Sequence, residues 1–483
     1  MAIEHFDVVV MGAGLSGIGA GYHVQTECAD RSYVILEARS AIGGTWDLFR
    51  YPGIRSDSDM FTLGYGFRPW TGAKAIADGA SIRDYIRETA RTFGIDRHIR
   101  YGHRIRSAAW SSADAVWTVE VDTPEGARTF TCAFFLACSG YYDYARGHTP
   151  IFAGVDSFAG RIVHPQFWPA DLDVSGKRVV VIGSGATAVT LVPALAEKGA
   201  HVTMLQRSPS YVVAMPAEDI FAQRMRAWLP ARLAHRVIRA RSILVQMAFY
   251  RLARWRPAAT RTKIAAMAQA RLGPDYDVAT HFTPRYDPWD QRMCLVPDGD
   301  LFKAIKADKA AVATDRVARF TRDGVALESG VELPADIIVT ATGLEILLLG
   351  GITLSVDGEA VDLATCYSYK GVMFSDVPNL ALVFGYTNAS WTLRADLASG
   401  YVCRLLNTMR RRGMRQVTPR LGATPVSPLP FVDFTSGYIA RAAGKLPTQA
   451  DRRPWRMRHN YVADMLGLRF GQIDRELEFS NPN

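Results

Sequence analysis

Asp7-Val-Val-Val-Met11, running into Gly12-Ala-Gly14-Leu-Ser-Gly17, is the stretch on which the fold of this chain turns. The unbroken apolar run reads as a strand buried on both faces, the kind found in parallel sheets covered by helices. The glycine-rich turn after it opens a helix. The same grammar returns at Arg178-Val-Val-Val-Ile182, followed by Gly183-Ser-Gly185-Ala186-Thr187-Ala188-Val189. In each loop the first glycine permits a tight turn and the second lets the backbone approach a pyrophosphate. The third position, Gly17 or Ala188, lets helix and strand pack closely. The helix N-terminus then offers free N–H groups and a positive dipole to phosphates. Two such units predict an α/β protein with two Rossmann-like dinucleotide-binding domains, its two dinucleotides held face to face.

The end of the next strand decides each ligand. Tyr33-Val-Ile-Leu-Glu37 ends in a carboxylate suited to ribose hydroxyls, so the first site wants FAD or NAD. His201-Val-Thr-Met-Leu-Gln-Arg207-Ser208 ends in a guanidinium and a hydroxyl, which bind the 2′-phosphate of NADP(H). Gly43-Gly44-Thr45-Trp46 favours flavin at the first site, since two glycines let backbone lie against a flat ring and Trp46 offers a surface beside it. No redox cysteine follows this turn, so electrons from NADPH leave the flavin by another route, and dioxygen is the acceptor.

The 483 residues provide material for two or three domains. The sequence divides into a first part of the FAD domain (1–145), a linker (146–175), an NADP domain (176–364) with a helical insert at about 215–285, and a return segment (365–483) completing the FAD domain. Cys28, Cys132, Cys138, Cys294, Cys366 and Cys403 show no metal-ligand or CxxC spacing and suggest a reducing cytoplasm. Glu4 and Asp7 interrupt the N-terminus, so no secretion signal is read there. The apolar run from Ile337 to Val356 contains Glu345 and three glycines, and reads as a buried strand and loop rather than a bilayer span. The net charge of +9 gathers between Arg224 and Arg271, where arginines alternate with Leu233, Val237, Leu244, Phe249 and Leu252. A solvated face of the insert is the preferred reading, with attachment to an anionic membrane surface as the alternative. No nucleic-acid-binding module accompanies the charge.

Between the two nucleotide patterns lies Phe158-Ala-Gly160-Arg-Ile-Val-His164-Pro-Gln-Phe-Trp168-Pro169. This matches the FxGxxxHxxxW(P/D) fingerprint, and the chain therefore resembles the type I Baeyer–Villiger monooxygenases. The stretches 43–60, 181–195, 288–292 and 385–397 carry the likeness further. The resemblance implies FAD contacts at Ser16, Glu37, Gly44, Thr45, Trp46, Asp47, Asp57 and Ile105. It implies NADP contacts at Arg55, Ser56, the residues from Gly183 to Val189, Arg207 and Ser208. Arg292 matches the family's active-site arginine and Asp57 the acid paired with it, while His164 and Trp168 fall in the hinge coupling NADP position to domain motion. Taken singly, Asp57 reads as a turn cap beside Pro52-Gly53, and Arg292 as a surface partner of Asp290. A helix start near Asn388 or Ser390 is expected to face the flavin. Leu344-Glu345 departs from the family pattern after Gly343.

The expected activity is insertion of one oxygen atom of O2 beside a ketone carbonyl, giving an ester or lactone, with sulfides or thioamides as further substrates. A monooxygenase acting on sulfur and nitrogen alone, or a flavin-binding redox sensor without turnover, are the alternatives.

Overall fold

The computed structural model describes residues 3–432 and 434–482. Strand Glu4–Met11 forms as its apolar run predicts, with Val8, Val9 and Val10 fully buried. It pairs in parallel with Tyr33–Glu37 on one side and Gly126–Ala137 on the other. Every residue of Tyr33–Glu37 is buried, because helix Leu15–Glu27 covers one face and Val34 and Leu36 pack on Ile105 and Ala108 of strand Arg104–Ser111 on the other. Val116–Thr123 and Gly126–Ala137 form an antiparallel hairpin. Its second arm runs unbroken into the central sheet, since no turn residue interrupts the buried Phe130, Cys132, Phe134 and Leu136.

The five strands of the second sheet are all parallel, in the order Ala310–Thr314, His201–Gln206, Arg178–Ile182, Ile337–Thr340, Arg161–Val163. The edge strand Arg161–Val163 comes from the fingerprint segment itself. The apolar run from Ile337 is shared between the two domains. Its first part is the strand Ile337–Thr340; its last part, Thr353–Val356, pairs with Arg104–Ser111 in the first sheet. The chain thus re-enters the first domain before the expected Thr365 boundary, because Leu354 buries itself among the apolar side chains under that sheet. Between these strands, Leu344–Ile346 pairs antiparallel with Tyr142–Gly147, so the two crossings between domains run side by side.

The insert forms helices Ile220–Trp228, Ala231–Trp255 and Pro257–Leu272. Among the described residues no helix is long and apolar enough to cross a membrane. All six cysteines are free and buried.

Helix Leu15–Glu27, which opens at the first glycine loop, packs on the C-terminal helix Trp391–Arg412 in one core. His23 sits at this junction, its Nδ1 2.7 Å from Glu27 Oε1 and its Nε2 3.7 Å from Asp396 Oδ1. Burial alone would lower its pKa, but the two carboxylates raise it from 6.5 to about 9. A raised histidine pKa adds stability below the unfolded value that disappears as pH climbs through the folded one. The wild type is therefore expected to lose thermal stability between pH 6.5 and about 9, whereas His23→Gln shows a flatter profile; parallel curves in a thermal melt would refute the pairing.

Candidate active site

A cavity of about 630 Å³ opens at the C-terminal ends of the first sheet's parallel strands, the side on which such folds bind ligands. Gly12 holds a φ of +96°, and a Cβ at Gly17 would lie 1.8 Å from the Gly12 carbonyl oxygen, so helix and turn approach as only glycines allow. Gly14 and Gly44 meet face to face: a Cβ on Gly44 would sit 3.0 Å from the Gly14 Cα. Glu37 Oε2 accepts the Ala13 N–H at 2.7 Å and Oε1 the Arg39 N–H at 2.9 Å. Burial raises the Glu37 pKa, while these two N–H groups oppose the rise. The carboxylate thus fixes the glycine loop and also faces the cavity.

Ser16, Thr45, Trp46 and Ile105 line the same space. Asp47 does not. It is buried beneath the turn, paired with Arg39 at 2.8 Å and Arg50 at 2.6 Å, so its charge is spent on bracing rather than on a ligand. The helix expected near 388–390 begins at Trp391 after Ser390, whose side chain makes no capping hydrogen bond. Ser390 Oγ turns instead to Thr62 Oγ1 at 2.6 Å, and Asn388 Nδ2 donates to the His459 carbonyl. Trp391 carries the helix to the cavity: its Nε1 donates to Ser16 Oγ at 2.8 Å and its ring stacks on Tyr141.

Asp57 and Arg292, separated by 235 positions, meet in a two-point contact. Nη2 lies 2.9 Å from Oδ1 and Nε 2.6 Å from Oδ2. Asp290, the surface partner considered for Arg292, binds Arg254 instead at 2.6 Å. Desolvation disfavours the Arg292 charge, but Asp57, then the phenols of Tyr141, Tyr438 and Tyr142, hold its pKa above the usual arginine range. The cation is therefore permanent. The Tyr141 and Tyr142 hydroxyls lie 2.8 Å apart beside it. Cys294, a thiol that feels the Arg292 charge, has its pKa pushed up to about 12 by burial and offers no nucleophile.

On the second domain, Ala186 and Thr187 reach the cavity, as do Arg55 and Ser56 from the first. Arg55 is held by Asp300 in an ion pair. Gly183, with a φ of +144°, lies against the Ala341 carbonyl, whereas a Cβ at Gly185 would touch nothing within 4 Å. That open backbone is the cradle a pyrophosphate needs. Ala188 and Val189 are buried in the packing of helix Ala186–Glu197. Arg207 and Ser208 stand exposed beyond the strand His201–Gln206, with Ser184 Oγ donating to the Ser208 carbonyl at 3.0 Å.

His164 and Trp168 lie outside the cavity. Trp168 packs against the core of the second domain. His164 Nδ1 accepts the Gln166 N–H, and Nε2 is 3.2 Å from the Gly343 carbonyl. Burial lowers its pKa, and the neutral tautomer with hydrogen on Nε2 satisfies both contacts. A Cβ at Gly147 would fall inside the imidazole ring, so the histidine is wedged between the two crossing segments. The Leu344-Glu345 departure also has a partner here, Glu345 Oε1 meeting His148 Nδ1 at 2.8 Å.

Sequence reasoning missed Tyr141, Tyr142 and Tyr438, and it missed the hold of the insert on the Asp57 segment. Arg239 Nη1 donates to the Phe61 and Gly64 carbonyls, and Gln246 Nε2 to Asp59 Oδ2 at 2.5 Å. A signal existed for the first two, since Tyr141-Tyr142 follows Gly140 at a parallel strand's C-terminal end.

Two nucleotide-binding domains flanking one cleft, with a fixed guanidinium inside it, define a flavoprotein of the monooxygenase type. The flavin-binding monooxygenase-like family model matches residues 75–253, and an NAD(P)-binding Rossmann-like model matches residues 10–87. FAD-containing monooxygenase EthA of Mycobacterium tuberculosis (strain ATCC 25618 / H37Rv) is 53% identical over 474 residues, which cover 98% of this chain and 97% of that protein. The probable FAD-binding monooxygenase AlmA of Acinetobacter baylyi is 46% identical, with 98% and 95% covered. The chain belongs to this family of FAD-containing monooxygenases, as its fingerprint implied. Among solved structures, a steroid monooxygenase bound to NADP shares the fold with a TM-score of 0.75 at 21% identity, covering 99% of this chain and 100% of that one.

Proposed function

We propose that this monooxygenase is of the Baeyer–Villiger type, uses NADPH, and inserts one atom of O2 next to a ketone carbonyl to give an ester or lactone. Sulfides and thioamides are its further substrates. The observation that carries the reading is the Arg292–Asp57 pair inside the cleft lined by both glycine loops. Bound FAD, reduced by NADPH, supplies the activated oxygen. The glycine cradle at Gly12, Gly14 and Gly44, with Glu37 behind it, holds the flavin nucleotide; Trp46 and Trp391 wall it. Gly183, Gly185 and Thr187 hold the NADP pyrophosphate, and Arg207 with Ser208 its 2′-phosphate.

Arg292 stabilises negative charge as it builds on the substrate carbonyl oxygen, and Asp57 keeps the guanidinium aimed and its fork fixed. Tyr141, Tyr142 and Trp391 present an aromatic wall that limits water around this charge. His164 and Trp168 act as positioning residues in the hinge. The six buried free thiols support a reducing compartment, the cytoplasm. A peripheral contact of the basic insert with a membrane face is a separate proposal that the insert's own surface supports.

Product analysis tests the reading: ester or lactone from at least one ketone is expected, and sulfoxide alone from every substrate pair would defeat it. Arg207 has no acidic partner among the described residues, so its charge is free for a phosphate. Arg207→Ala is expected to raise the KM for NADPH by roughly 10- to 100-fold, the worth of one charge-assisted contact, while the KM for NADH barely changes. Equal loss for both nucleotides in steady-state assays would remove the assignment.

A further inference from the structure

The long insert helix Ala231–Trp255 is apolar on two opposite sides. Its inner side buries Ala234, Ile238 and Ser242, and sends Arg239 and Gln246 to the segment that follows Asp57. Its outer side exposes Leu233, Leu244, Leu252 and Trp255, which successive spacings of eleven, eight and three place on one stripe. Val245 and Phe249 extend the exposed apolar surface beside it. A solvated helix carries mainly polar residues opposite its buried face; this one interleaves large apolar side chains with its exposed arginines.

Tryptophans mark both ends. Trp228, closing the preceding helix Ile220–Trp228, is 78% exposed, and Trp255 is 71% exposed. Indole rings prefer the boundary between apolar and aqueous phases, where the ring is buried and the N–H stays wet.

The charge completes the pattern. Of the insert's arginines, Arg226 and Arg239 are spent on backbone carbonyls, and Arg241, Arg254 and Arg261 on aspartates. Arg224, Arg232, Arg236 and Arg251 have no acidic partner among the described residues. Arg251 lies within the apolar stripe, between Leu244 and Trp255. Two copies of this chain meeting through the face would bring these cations together, so self-association is opposed. A surface of anionic lipid headgroups over hydrocarbon satisfies both the arginines and the apolar stripe.

We propose that the outer face of helix Ala231–Trp255, with Trp228, docks the protein on an anionic lipid bilayer without crossing it. The inference does not depend on the oxidation reaction, only on the surface of the insert. Because the inner side of the same helix holds the segment bearing Asp57, the docked face lies directly behind part of the active site.

Flotation of the FAD-loaded protein with vesicles tests this. The wild type is expected to float with vesicles of phosphatidylglycerol and phosphatidylcholine, to stay behind with phosphatidylcholine alone, and to be released by high salt. Leu244→Asp with Leu252→Asp, and separately Arg232→Glu with Arg236→Glu and Arg251→Glu, are each expected to cut the bound fraction at least about tenfold. NADPH oxidation with a small water-soluble ketone, unchanged in both variants, shows that they are folded. Absence of flotation with anionic vesicles overturns the proposal, as does flotation unaffected by the arginine variant. A wild-type dimer that Leu244→Asp dissociates, with no vesicle binding, assigns the face to a second copy instead.

Discussion

Arg292→Ala is expected to consume NADPH and dioxygen yet to yield no ester. The substitution leaves both glycine cradles intact, so cofactor binding and flavin reduction continue. What disappears is the guanidinium held in the cleft by the two-point contact with Asp57. Loss of a single oriented donor to a developing oxyanion costs roughly 10²–10³ in rate, and loss of a full charge aimed at it costs at least that. Oxygen consumed without insertion then appears as hydrogen peroxide. Arg292→Lys keeps the charge but loses the planar fork that meets both Asp57 oxygens, so an intermediate rate is expected. Asp57 is only partly exposed, and removing its partner carries a stability cost; flavin content and a thermal melt separate that cost from the kinetic one. Ester formed by Arg292→Ala at the wild-type rate would show that the guanidinium does not act on the substrate.

Gly17→Ala is expected to abolish flavin binding. The added methyl would stand 1.8 Å from the Gly12 carbonyl oxygen, closer than any non-bonded pair tolerates, and 3.6 Å from Cys138 Cβ. Neither the Gly12 backbone nor the strand behind it can yield, since Val8, Val9 and Val10 are fixed in the sheet on both sides. Relief requires helix Leu15–Glu27 to move outward, which withdraws its N-terminus from the phosphate site and strains its packing on Trp391–Arg412. A colourless purified protein is the expected result, or an insoluble one if the displaced helix prevents folding. A yellow protein with wild-type flavin content would contradict the close approach. Gly185→Ala serves as the contrast: its Cβ meets no protein atom within 4 Å, so the fold is kept and only the nucleotide is crowded.

The two nucleotide units were legible because their information is local. A run of valines, a glycine spacing and a strand-end charge all lie within a few dozen residues, and each constrains the backbone directly. The Asp57–Arg292 pair was reachable only through resemblance, since nothing in either residue's neighbourhood specifies a partner 235 positions away. Asp47 shows the converse. A carboxylate in a flavin-side turn looks like a ligand, but Arg39 and Arg50 claim it from positions whose side-chain directions no spacing reveals. The domain return was placed late for a related reason: Thr353–Val356 is a short strand in a long apolar run, and only its pairing with Arg104–Ser111 assigns it to the first sheet. Tyr438 lies far along the chain from Arg292, and its approach depends on the whole C-terminal segment folding back.

The side-by-side crossings at Tyr142–Gly147 and Leu344–Ile346 limit how the halves of this enzyme can move. One tether would let the nicotinamide half swivel freely; a hydrogen-bonded ribbon bends across its flat face but resists torsion. The His164 imidazole packs on one ply at Gly147 and meets the Gly343 carbonyl beside the other, which braces the ribbon where it enters the second domain.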